Sequence, residues 1–119
     1  MAGFDNRLGF SFGDIVVASY AIPDQKEPEA RPGVIVSSST YNQQRSNVLI
    51  MAVTIQNRPD ASSGELPLQA AEAAGLERGA VFTPVLATVE QQRVRLILGQ
   101  LAFADRQSLR HLLDLILGR

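Results

Sequence analysis

Six apolar residues in a row, Val48-Leu49-Ile50-Met51-Ala52-Val53, constrain this chain more than any other feature. Asn47 precedes them and Thr54-Ile55-Gln56 follows, which predicts a strand over 47–56. A continuous run of this length offers no polar face, so the strand is read as buried on both sides. A chain of 119 residues is most simply one domain.

Other segments carry strand signals as well. Residues 14–21 are rich in Ile, Val and Tyr, and 33–38 form a second strand candidate. Between them, residues 22–30 are polar and contain two prolines, which predicts a mobile loop leading into Arg31. Residues 39–46 read as a turn and 57–64 as a loop. Residues 65–69 suggest a short strand weakened by Pro67, and 70–74 a helical turn stopped by Gly75. Residues 80–89 and 92–98 predict two strands around Glu90-Gln91. In the latter, Arg93 and Arg95 alternate with Val94 and Leu96, which predicts one basic and one apolar face. Asp105 is the expected N-cap of a final helix whose stripe is Leu109, Leu112, Leu113 and Ile116, ended by Gly118. Residues 1–12 are a lead-in, with Phe4, Phe10 and Phe12 expected to tuck onto the body. Strands followed by one helix imply a mainly β fold with some α, a small barrel-like sheet packed by a C-terminal helix.

Composition removes several function classes. With no cysteine, neither a disulfide framework nor a thiolate metal site is possible. One histidine, His111, rules out a histidine-based zinc cluster and leaves no triad for the serines at 37–39. Neither a metal nor any other cofactor is expected. There are 11 basic and 12 acidic residues, so bulk charge does not mark a nucleic-acid binder, and any such contact needs a local patch. Ten of the basic residues are arginine, the side chain suited to bidentate phosphate recognition. Neither a signal peptide nor an apolar run of about 18 residues is visible, which predicts a cytoplasmic chain with no membrane partner.

Arg31-Pro32 stands at the mouth of the second strand and Thr54 near the end of the third. A hairpin symmetric about Gln43 pairs residues whose numbers sum to about 86, which sets Pro32 against Thr54 and Arg31 against Ile55. A slip of one or two residues still leaves Arg31 and Thr54 at the same sheet edge. A guanidinium and a hydroxyl at a shared edge make a plausible anion site, although Arg-Pro is also an ordinary loop-to-strand junction and Thr an ordinary strand residue.

Several short motifs recur in an order that resembles one family. Gly13-Asp14-Ile15-Val16 is followed by Arg31-Pro32-Gly33-Val34-Ile35-Val36-Ser37, then Tyr41-Asn42, then Thr54 and Gln56. Thr88-Val89-Glu90, Arg93-Val94 and Leu98-Gly99-Gln100-Leu101 complete the set. Together they resemble the PemK/MazF toxins of toxin–antitoxin pairs, over roughly residues 13–117. The resemblance implies an SH3-like barrel of the PemK/MazF/CcdB kind with a C-terminal helix, one domain over 13–119, and a homodimer. It implies a metal-independent, sequence-selective endoribonuclease that cuts single-stranded RNA, including mRNA, through attack by the RNA's own 2′-hydroxyl. It also implies a cognate antitoxin that blocks the RNA groove.

Carried onto this chain, the resemblance makes Arg31 the catalytic arginine, stabilising charge on the phosphorane. It makes Thr54 the catalytic threonine and Glu90 a candidate base. Gln56, Arg93 and Arg95 become RNA-contact candidates. One position departs from the pattern. Many members carry a basic residue before the threonine of the Thr88-Val89 segment, and here Ala87 stands there. That departure keeps a second reading open, a catalytically silent or CcdB-like binding protein on the same fold. A generic SH3-like interaction module is a third. His111 reads as a surface or partly packed residue.

Overall fold

The computed structural model describes residues 9–23, 25–55 and 64–119. Strands β1 (Asp14–Tyr20), β2 (Glu29–Ile35), β3 (Asn47–Ile55), β4 (Leu66–Pro67), β5 (Ala80–Glu90) and β6 (Val94–Gln100) are joined by two helices, α1 (Ser39–Gln44) and α2 (Phe103–Leu117). They form one antiparallel six-stranded sheet in the order β4-β5-β3-β2-β1-β6. The barrel expected from sequence is therefore not closed, because no ladder joins the end strands among the described residues. The sheet nevertheless curls strongly. Val16, Ala18 and Tyr20 of β1 share a cluster with Val89 of β5, across the two strands between them.

β3 occupies the centre, as its apolar run requires, and both of its faces are buried. On the outer face Met51 and Val53 join Ile15, Val34 and Phe82 beneath Leu109 and Leu112 of α2. On the inner face Val48, Ile50 and Ala52 join Val16, Ala18, Tyr20 and Ile35. Phe10 packs against the inner cluster and Phe12 against the outer one. The placement expected of Phe4 lies outside the described residues, as do Gln56 and positions 57–63.

Several local expectations need correction. Residues 39–44 are a short helix rather than a turn, because the Ser38 hydroxyl accepts from the Tyr41 backbone N–H and caps it. The helix makes the chain reversal asymmetric about Gln43. Observed pairs are Gly33 with Ala52, Val34 with Met51 and Ile35 with Ile50, which sum to 85 rather than 86. β2 starts at Glu29, inside the expected loop, because β1 supplies partners as far as Tyr20 opposite Glu29. The ladder to β3 stops at Gly33, beside a proline that has no N–H to give.

At the other end of the chain, the N-cap of α2 is Ala102 and not Asp105. Asp105 lies buried in the first turn, where its carboxylate accepts from the backbone N–H groups of Gln69 and Ala70, both at 2.8 Å. It thus staples the helix to the segment after β4. Leu109 and Leu112 are buried as the stripe predicts, whereas Ile116 is exposed. Gly118 ends the helix in the left-handed region, at φ 74°. The basic face expected on the last strand does not form. Arg93 sits in a 3-10 turn (Gln91–Arg93), and a register shift between Val17 and Ala18 leaves Val94 inward and Leu96 exposed.

Candidate active site

Arg31 lies opposite Ala18 of β1, and facing residues in an antiparallel pair share a side of the sheet. Ala18 belongs to the inner cluster, so Arg31 faces the inner side as well. Thr54 follows Ala52, also inner, at a spacing of two. From the last rung, Gly33 with Ala52, both Arg31 and Thr54 lie two residues on in the same direction. The fold therefore brings them to one face and one end of neighbouring strands. Under the register expected from sequence they would have faced opposite ways, since a one-residue slip inverts every side chain.

The Arg31 guanidinium is held in place. Its Nε donates to the Tyr20 carbonyl at 3.1 Å, Nη2 donates to Gln25 Oε1, and Glu29 forms an ion pair at 3.7 Å. The guanidinium also stacks over the Tyr20 ring at 5.6 Å. Tyr20 is fixed in turn, because its hydroxyl donates to the Pro32 carbonyl at 2.6 Å. Burial pushes the Tyr20 phenol far above its ordinary range, with the nearby Arg31 charge a smaller opposing effect. Tyr20 therefore stays a neutral donor. Only 16 % of the Arg31 side chain is exposed, which is low for a charged group and marks a positioned guanidinium rather than a free surface charge.

Thr54 hydrogen-bonds through Oγ1 to the Thr83 hydroxyl at 2.9 Å. Thr83 faces Ala52, and beyond it β5 carries two extra residues, Pro84 and Val85, before Leu86 pairs with Met51. Sequence reasoning passed over Thr83, Tyr20 and Gln25. The first had a faint signal, a hydroxyl just ahead of a proline inside an apolar strand.

Glu90 ends β5 and accepts from Arg93 Nε at 3.1 Å. Hydrogen bonds from Arg93 and then Gln92, with the Arg93 charge, hold its carboxyl below the ordinary value, so it is ionised at neutral pH. A depressed pKa weakens it as a proton acceptor. Glu90 and Arg93 line a cavity of about 300 Å³ together with Ser19, Tyr20, Pro28 and Ala87. Arg95 is exposed on β6 and does not line it. Among the described residues there is no group of three or more His, Cys, Asp or Glu side chains placed to hold a metal. His111 is exposed. No described helix is long and apolar enough to cross a membrane.

A curled antiparallel sheet backed by one C-terminal helix is of the fold class the motifs implied. The chain belongs to the family of PemK-like, MazF-like toxins of type II toxin–antitoxin systems, whose model matches residues 11–117. Among solved structures it is similar to MazF from Deinococcus radiodurans, at 18 % identity over 93 % of this chain and 98 % of that one, with a TM-score of 0.72. An endoribonuclease from a mycobacterial species is 17 % identical over 92 % of both chains, with a TM-score of 0.71. A mycobacterial endoribonuclease in complex with its cognate antitoxin has the same identity and TM-score, over 92 % of this chain and 95 % of that one. At these identities the likeness establishes a shared fold. No curated protein matches the chain in sequence.

Proposed function

We propose that this protein is an endoribonuclease toxin that cleaves single-stranded RNA, mRNA included, at selected sequences in the cytoplasm without a metal. The observation that carries the reading is the placement of Arg31 and Thr54 on one face and at one end of adjacent strands. Membership of the toxin family supports it.

In the proposed reaction the RNA's 2′-hydroxyl oxygen attacks the adjacent phosphorus. The bond to the 5′-oxygen of the next nucleotide breaks and a 2′,3′-cyclic phosphate remains. Solvent water takes the 2′-hydroxyl proton and supplies one to the leaving 5′-oxygen. Negative charge builds on the non-bridging oxygens of the phosphorane. Arg31, moored by Tyr20, Gln25 and Glu29, is already oriented to meet that charge, so little reorganisation is needed as it develops. A guanidinium has five N–H donors and no acceptor, so Arg31 serves as a charge stabiliser and not as a base. Thr54, tied to Thr83, donates its hydroxyl proton to a phosphate oxygen. The 2′-hydroxyl requirement restricts the substrate to RNA. Glu90 is not given the proton-transfer step, since the hydrogen bonds from Arg93 and Gln92 lower its basicity.

The partners in this reading are a second copy of the chain and an antitoxin. Exposed Leu86 and Leu117, on a groove of about 590 Å³ between the sheet and α2, support an apolar contact there. The test is incubation of the purified protein with long single-stranded RNA in EDTA, followed by mapping of the ends. Discrete cuts ending in cyclic phosphate are expected. Removing one preorganised donor costs on the order of 10²–10³ in rate, so Arg31→Ala should lose at least that, and Thr54→Ala a large part of it. RNA that stays intact at high protein concentration would overturn the reading and favour a silent binding protein, the alternative that Ala87 suggests.

A further inference from the structure

The geometry points to the cavity walled by Tyr20 as a guanine pocket, in which Glu90 and Arg93 read one unpaired base of the RNA. The inference rests on the proposed RNA-cleaving reading and adds a specificity determinant to it.

The cavity, about 300 Å³, lies at the small end of ligand pockets, which run from roughly 300 to 1,000 Å³. Tyr20 belongs to its wall and also carries Arg31 on its ring, so a base seated there would be joined to a phosphate near the guanidinium. The space depends on residue 87 being small. Ala87 lines the cavity, and a long side chain there would fill it.

Two charged groups give the cavity a directional edge. Glu90 and Arg93 are each about half exposed and stand 3.1 Å apart, three residues apart on a turn. Such an exposed pair contributes little to stability, so its re-pairing with a ligand costs little. An ionised carboxylate only accepts hydrogen bonds, and a guanidinium only donates them. The Watson–Crick edge that fits an acceptor pair beside a donor is guanine. Its N1–H and N2–H groups are adjacent donors for the two carboxylate oxygens, and O6 beside them accepts from Arg93. Adenine and cytosine each turn a ring-nitrogen acceptor toward the carboxylate, next to a single amino donor. Uracil offers one N–H between two acceptors. Single-stranded RNA presents such edges unpaired, which is how sequence is read in it.

The test uses binding and not cleavage, so it stands apart from the reaction itself. Protein carrying Thr54→Ala is titrated with an oligouridine, and with the same oligomer holding one central guanosine, inosine, adenosine or cytidine. Guanosine should bind on the order of tenfold tighter than uridine, the discrimination of one good bidentate pair. Inosine, which lacks the N2 amino group, should fall between. Glu90→Gln turns an amide donor toward guanine's donors and should abolish the preference for guanosine over the other three bases. Ala87→Arg should abolish the preference by filling the space. Equal affinity for all the oligomers, or a preference that survives Glu90→Gln, overturns the proposal. Tight guanosine-selective binding with no cleavage by the unmodified chain would retain the pocket and remove the nuclease reading.

Discussion

The two faces of this sheet bury similar strands in different ways. On the outer face a separate element, α2, lies over the sheet and seals it with Leu109 and Leu112, leaving Phe82 and Ile15 fully buried. On the inner face the sheet covers itself by curling, with help from Phe10 and Ile22. A curl closes around its middle and stays open at its ends. Arg31, Thr54 and Thr83 lie at such an end, where polar side chains can keep contact with solvent and substrate. The outer face thus supplies stability, and the inner face supplies a rim where chemistry can be placed.

The largest expected effect tests the helix-covered face. Phe82→Ala should lower stability by about 3–5 kcal/mol, read as a shift of the urea midpoint. Assayed at a temperature where the variant is still folded, RNA cleavage per folded molecule should be unchanged. A loss comparable to that of Arg31→Ala would break the division between the faces.

A middle-sized effect probes the inner face. A Cβ on Gly33 would stand 2.4 Å from Ile50 Cγ2 and 3.0 Å from Tyr20 Oη. Ile50 is β-branched and stiff at χ1, so it yields poorly. Gly33→Ala should therefore cost about 1–3 kcal/mol through overpacking. Unlike Phe82→Ala, it should also lower cleavage per folded molecule, because Tyr20 holds Arg31. Cleavage left intact would show that the mooring of Arg31 is dispensable.

The smallest effect is electrostatic. Glu90 should titrate below its ordinary value of 4.5 when followed by NMR of its side-chain carboxyl, and Arg93→Ala should raise the midpoint. The sign is that of a carboxylate favoured in the folded state. The ion pair is complete above the ordinary value and is lost as pH falls through the depressed one. Because the carboxylate faces solvent, the change belongs in the titration curve and not in Tm. A midpoint unmoved in Arg93→Ala would remove the pairing on which the guanine pocket depends.

Much of the molecule is legible in its local sequence patterns. The apolar run at 48–53 marks the central strand, the Leu109 and Leu112 spacing marks the helix, and Gly118 marks its end. These signals are local, since hydrophobic period and backbone freedom act within a few residues. Asp105 misleads because the same carboxylate that can cap a helix can also bind backbone N–H groups far along the chain, here Gln69 and Ala70. Arg93 and Arg95 mislead because simple alternation fails at a turn and a register shift.

The order of motifs and the chemistry of Arg31 and Thr54 were written in the sequence alone, along with the family to which they point. Whether those two side chains share a face was decided only in three dimensions. It depended on one residue of register, set when Ser38 capped a short helix in place of a symmetric turn. A strand alternates sides at every residue, so a shift too small to alter any local pattern inverts the whole arrangement. The partners Tyr20, Thr83 and Gln25 likewise came from other parts of the chain, brought to the rim by the curl of the sheet.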